Sequence, residues 1–154
     1  MTTLKEQLQA DLTAAMRAQD SVVSGTIRMA LAAITNEEVA GKVAKVLTDA
    51  DVVTVLTREG KKRREAIEAY EAANRQDLAD KEAAELAVLE KYLPEQLGEA
   101  ELQSLIDAAV AEAKASGADG MKAMGLVMKI LQPKISGRAD GAAVAAAVKA
   151  ALGA

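Results

Sequence analysis

The spacing of apolar residues leaves this chain one class of fold. Leu4, Leu8, Leu12 and Met16 recur every four residues, which lines them along one helical face. Val23, Ile27, Ala30, Leu31 and Ile34 repeat the pattern, and Val52, Val55, Leu56, Ile67 and Tyr70 continue it. No window alternates Val, Ile, Thr and aromatic residues with the period of two that a half-buried strand needs. Composition points the same way. Roughly a quarter of the residues are alanine, and Leu, Glu, Lys, Met and Arg fill much of the rest. An all-α fold follows.

Local signals divide the helices. Ser21, after Asp20, is expected to cap a second helix, and Gly41 falls in a connector. Thr48 with Asp51 three residues on resembles a capping box, with Asp where Glu is usual. Gly60 sits inside the helix that this box opens and costs ~1 kcal/mol relative to Ala. Asn74 and Arg75 can turn the chain, and Asp77 is expected to cap a fourth helix carrying Leu78, Leu86, Leu89 and Leu93. Pro94 disfavours helix at Leu93 and marks a boundary. The reading is therefore two helical domains, an N-terminal bundle over 1–93 and a compact three-helix domain over 94–154. The second holds 7 of the 10 glycines. Its helices are expected at 99–115, 121–132 and 140–152. Pro133 through Gly137 separates the last two, and Asp140 serves as N-cap.

Missing residue types exclude much chemistry. The chain has no His, Cys, Trp or Phe and only 2 Tyr. No thiol nucleophile, imidazole base, disulfide or His/Cys metal site can be built. Asp49-Ala50-Asp51 looks like the start of a calcium loop, but the rest of that loop does not follow. There is no dinucleotide fingerprint, no phosphate-binding P-loop around Gly60-Lys61-Lys62 and no nucleophile elbow. No metal, cofactor or catalytic residue is expected. With so few rings, base stacking on aromatic platforms is not expected either. The opening Met1-Thr2-Thr3-Leu4-Lys5-Glu6 is polar, and no stretch reaches about 18 consecutive apolar residues. A cytoplasmic protein without a membrane partner is expected.

Net charge is −4, so any nucleic-acid role must rest on a local patch, and no DNA partner is expected. Two basic sets stand out. The first is Arg58, Lys61, Lys62, Arg63 and Arg64, of which Arg58, Lys61 and Lys62 share a face while Arg63 points to the core side. Lys61 can pair with Glu65, and Arg64 with Glu68, at i,i+4, so this set reads first as a solvated, self-compensated helix and only second as a phosphate contact. The second set is Lys122, Lys129, Lys134 and Arg138. Lys122 and Lys129 lie seven apart on one helix side. Lys134 and Arg138 fall in the loop that ends at Gly137-Arg138-Ala139-Asp140-Gly141. Between 113 and 154 only Asp119 and Asp140 are acidic. A helix start beside flexible glycines can approach a phosphate. Met29, Met121, Met124 and Met128 are expected to pack in the core.

Several blocks resemble the YqeY family, which is related to the tail domain of GatB, the B subunit of the tRNA-dependent amidotransferase. They are Ile27-Arg28-Met29, Ala33-Ile34-Thr35-Asn36-Glu37, Arg58-Glu59, Arg63-Arg64-Glu65-Ala66-Ile67 and Arg75-Gln76-Asp77-Leu78-Ala79. The most specific is Glu90-Lys91-Tyr92-Leu93-Pro94-Glu95-Gln96-Leu97. Met124-Gly125-Leu126-Val127-Met128, Pro133-Lys134 and the Gly137–Gly141 run match the part shared with the GatB tail. The resemblance implies the two all-helical domains and an RNA contact at Lys129, Gly137 and Arg138, with Lys134 adjacent. Ser136 and Ala142 stand where basic residues are common in the family. The glutamine-dependent carbon–nitrogen ligase activity often attached to the family finds no catalytic motif in this chain. The expected function is a non-catalytic tRNA-binding accessory protein linked to tRNA-dependent amidation or aminoacylation. It would grip backbone phosphates through Lys122, Lys129, Lys134 and Arg138, with Arg58, Lys61, Lys62 and Arg64 as a secondary patch. The alternatives are an adaptor that docks on an amidotransferase or aminoacyl-tRNA synthetase, and a participant in glutamine-dependent ligase activity.

Overall fold

A computed structural model describes residues 1–153 and contains seven helices, with no strand among them. They are α1 (Leu4–Arg17), α2 (Ser21–Glu38), α3 (Asp49–Ala72), α4 (Gln76–Glu90), α5 (Glu99–Ala115), α6 (Gly120–Ile135) and α7 (Gly141–Ala151). The chain divides into two compact units, Met1–Pro94 with α1 to α4 and Glu95–Ala154 with α5 to α7.

Side-chain caps set most helix starts, because the first N–H groups of a helix lack internal partners. Thr3 and Glu6 form a capping box on α1, and Thr48 and Asp51 form the predicted one on α3. Two expected caps fall elsewhere. Asp20, not Ser21, caps α2; its carboxylate accepts from the Val23 amide at 3.1 Å, and an ionised oxygen outcompetes a hydroxyl for that site. Asp77 does not cap α4 but lies in its first turn, where Arg75 grips it with two hydrogen bonds of 3.1 and 3.0 Å. That pairing raises the Arg75 pKa and lowers that of Asp77. The turn between α3 and α4 is made by Asn74 in the left-handed region, at φ 57°.

In the first unit Leu8, Ile27, Ile34, Val52, Leu56 and Leu89 are essentially inaccessible and form one cluster. Leu12, Tyr92 and Leu93 pack against it. Tyr92 closes the unit: its hydroxyl donates to Asp11 Oδ2 on α1 at 2.6 Å. Burial, then the Asp11 hydrogen bond and charge, push the Tyr92 phenol well above its ordinary range. Gly60 is buried and α3 runs through it unbroken. A Cβ there would meet Leu86 Cδ1 at 3.6 Å, an ordinary contact.

In the second unit Ile106, Ala109, Val127, Leu131, Val144 and Val148 make the core. Pro133 lies inside α6 instead of in a separating loop, and α6 runs to Ile135. The ring removes one helical N–H, but the Ser136 amide still donates to Gln132 O at 3.1 Å, so the last turn persists. The methionines divide. Met124 and Met128 pack against this core, whereas Met121 is 75% and Met29 43% exposed. Met121 occupies the first turn of α6, and Met29 lies on the face of α2 opposite Ile27 and Ile34.

Candidate nucleic-acid interface

The second basic set lies on α6 and the loop after it. Lys122 and Lys129 are both exposed and seven residues apart, about 10 Å along the axis and within about 20° around it. Gly125 lies between them on the same exposed face. Lys134 is in the last turn of α6, about 140° around the helix from Lys129, so it faces a different direction. Among the described residues no carboxylate lies within 4.0 Å of the Lys122, Lys129 or Lys134 ammonium groups.

Arg138 behaves differently. Its Nε donates to Glu95 O at 3.0 Å and its Nη1 to Lys134 O at 3.3 Å. Its Nη2 is 3.7 Å from Glu101 Oε1, and its side chain is 32% exposed. The Arg138 carbonyl accepts from the Leu97 amide at 2.9 Å. The neighbouring Gly137 is in the left-handed region at φ 72°, where a side chain would be strained, and its carbonyl accepts from Gln96 Nε2 at 2.8 Å. Arg138 and Gly137 thus clamp the Glu95–Leu97 segment onto the loop between α6 and α7. Sequence reasoning did not find Glu95, Gln96 and Glu101 as partners, because these contacts bridge some 40 residues and carry no local signature.

The start of α7 does not present a vacant ring of N–H donors. The Asp140 carboxylate accepts from the Ala143 amide at 3.1 Å and already occupies that anion seat. Charge in this unit is divided by element. Residues 95–119 contain six acidic side chains and one lysine, while residues 120–153 contain Lys122, Lys129, Lys134, Arg138 and Lys149 against Asp140 alone. Lys149, exposed in the last turn of α7, was not singled out from the sequence. Its signal was there, a lone cation in an alanine helix.

The cations of α3 are drawn into ion pairs. Arg58 is 3.0 Å from Glu37, Lys61 3.9 Å from Glu65, and Lys62 2.9 Å from Glu59. Arg64 pairs with Glu90 on α4 at 3.7 Å and not with Glu68, because the α3–α4 packing offers a tertiary partner. Arg63 is 6% exposed, 3.5 Å from both Glu59 and Glu85, and its Nη2 donates to Met29 Sδ at 3.7 Å. The calcium-loop resemblance is resolved into helix starts: Asp49 accepts from the Leu4 amide at 2.9 Å, and Asp51 is the capping-box residue. The Thr48 backbone and hydroxyl hydrogen bonds hold the Asp51 carboxyl below its usual range. Among the described residues no group of three His, Cys, Asp or Glu side chains is placed to hold a metal ion, and no helix is long and apolar enough to cross a membrane.

A family model described as Yqey-like protein matches residues 5–152. The chain belongs to the YqeY family. A Pyrenophora tritici-repentis relative named altered inheritance of mitochondria protein 41, mitochondrial, is 35% identical over 136 residues, 86% of this chain and 71% of its own. An uncharacterised Schizosaccharomyces pombe protein is 38% identical over 93 residues, 60% of this chain and 73% of its own. A Candida glabrata protein with the first relative's name is 32% identical over 88 residues, 57% of this chain and 48% of its own. Within the YqeY chain the Glu90–Leu97 block has two uses: Tyr92 and Leu93 close the first unit, and Glu95 to Leu97 are clamped by Arg138 and Gly137 in the second.

Proposed function

We propose that this YqeY protein is a non-catalytic accessory factor that binds the backbone of tRNA in support of tRNA-dependent amidation or aminoacylation in the cytoplasm. The observation that carries the reading is the pair Lys122 and Lys129. Both are exposed on one face of α6, with no carboxylate within 4.0 Å among the described residues, in a region of net positive charge. Such ammonium groups contact phosphates and release counterions, which gives affinity without base reading. Lys134, about 140° around α6 from Lys129, offers a third contact only to backbone that wraps round the end of the helix. Arg138 holds the loop in shape and leaves its exposed third for a fourth. The paired cations of α3 contribute long-range attraction only.

The test is binding of purified tRNA across a salt series. The Lys122 and Lys129 contacts alone give a slope of log K against log salt of about −1.4, and engagement of Lys134 and Arg138 as well steepens it to about −3. Lys122→Ala with Lys129→Ala should weaken binding and flatten the slope by about 1.4, while the circular dichroism of the helices is unchanged. Affinity that ignores salt, or is unmoved by the double substitution, removes this interface from consideration. Glutamine turnover by the purified chain would replace the reading with an enzymatic one.

A further inference from the structure

Arg63 carries more donors than its surroundings accept. Its guanidinium has several N–H groups and no acceptor of its own. Nη1 donates to Glu59 O at 3.2 Å and reaches Glu59 Oε2 at 3.5 Å. Nε is buried and makes no hydrogen bond, and the acceptor of Nη2 is the thioether sulfur of Met29 at 3.7 Å. A thioether accepts weakly, and a buried donor short of a strong partner costs free energy. The charge itself is already met, since Glu59 and Glu85 each lie 3.5 Å from the guanidinium. The site therefore lacks a neutral oxygen acceptor and not a further anion.

Met29 can supply that oxygen. It is partly exposed on α2 and lines a cleft of about 460 Å³ with Val22, Ala84 and Glu85, so a small oxidant reaches it from solvent while Arg63 contacts it from α3. Hydrogen peroxide oxidises a thioether by transfer of one oxygen. The O–O bond breaks, an S–O bond forms from a sulfur lone pair, and water leaves; sulfur gives up two electrons and the peroxide takes them. An S–O bond of about 1.5 Å and an N···O hydrogen bond of about 2.9 Å, meeting at about 110° at the oxygen, span about 3.7 Å. The separation of Met29 Sδ and Arg63 Nη2 is already 3.7 Å, so the oxygen fits between α2 and α3 without moving either. Met16 and Met121 are more exposed, but among the described residues neither sulfur accepts a hydrogen bond. We propose that Met29 is a site of oxidation by hydrogen peroxide and that Arg63 receives the sulfoxide oxygen as a structural acceptor. A sulfoxide in a core ordinarily disrupts packing. Here it replaces a soft contact with a charge-assisted hydrogen bond, so oxidation tightens the first unit. The inference is independent of RNA binding by α6.

The experiment treats the full chain with hydrogen peroxide, locates sulfoxides by peptide mass spectrometry and follows thermal unfolding. Met29 sulfoxide is expected to form while the chain stays folded. The change in unfolding midpoint on oxidation should exceed that of Met29→Leu, given the same treatment, by about 4 °C or more, which removes the other methionines as its cause. Met29→Gln needs no oxidant. Its amide carbon, oxygen and nitrogen stand where the sulfur, oxygen and methyl of the sulfoxide would, and it should unfold about 4 °C above Met29→Leu. Arg63→Lys keeps a cation between Glu59 and Glu85 but withdraws the Nη2 donor, and both gains should vanish in it. Three results would each overturn the proposal: an intact Met29 under conditions that oxidise Met16 and Met121, no gain over oxidised Met29→Leu, or gains that survive Arg63→Lys. If Arg63→Lys does not fold, equal midpoints for Met29→Gln and Met29→Leu decide against it.

Discussion

Arg63 is the residue whose surroundings ask most of it. It is buried between two carboxylates, and its Nε makes no hydrogen bond. Removing the cation leaves Glu59 and Glu85 facing each other in a half-dry site. Arg63→Ala should therefore lower stability by about 3 kcal/mol in urea unfolding, and a loss below about 1 kcal/mol would mean that water already screens the cluster. Tyr92 makes a pH-dependent contribution. Its folded-state pKa lies above the unfolded value near 10, so the folded protein keeps a proton that the unfolded chain releases. The stabilisation is complete below about pH 10 and is lost as pH rises toward the folded value. Tyr92→Phe should lower stability at neutral pH by about 1 kcal/mol and flatten the alkaline decline. A variant with the same alkaline decline as the parent would exclude Tyr92 as its source.

At the level of single helices, periodicity carried most of the information. The α5 bounds, the α3 capping box and the inward turn of Arg63 could be read directly, because each depends on residues three or four apart. The errors at Asp20, Asp77 and Pro133 share one cause. Several residues could satisfy the same terminal N–H, or lose one, and local spacing does not rank them. Two exchanges test the cost of imperfect helix residues. Gly60→Ala places its methyl at ordinary distance from Leu86 and should stabilise the first unit by about 1 kcal/mol in thermal or urea unfolding. Pro133→Ala returns an N–H to Lys129 O and should stabilise the second unit by about 1 to 2 kcal/mol. If Pro133→Ala is instead less stable than the parent, the ring's restriction of the unfolded chain outweighs the lost bond.

Across the whole chain, composition excluded chemistry more effectively than it assigned any. The absence of His and Cys was decisive, whereas a net charge of −4 concealed the split between an acidic α5 and a basic α6 and α7. The proposed interface was legible as four cations, but their separation into an exposed pair, a third cation turned away from it and a clamped arginine was not. That difference depends on Glu95 and Glu101, which come close to Arg138 only through the fold. The exposure of Met29 was less visible still, since a methionine within a helix was expected to pack in the core. The two tyrosines have a practical consequence. Tyr70 and Tyr92 both lie before Pro94, and the chain has no tryptophan. Intrinsic ultraviolet emission therefore reports on α1 to α4 and is blind to the melting of α5 to α7. An emission trace and an ellipticity trace recorded on one heating ramp should part wherever the carboxyl-terminal half unravels at its own temperature.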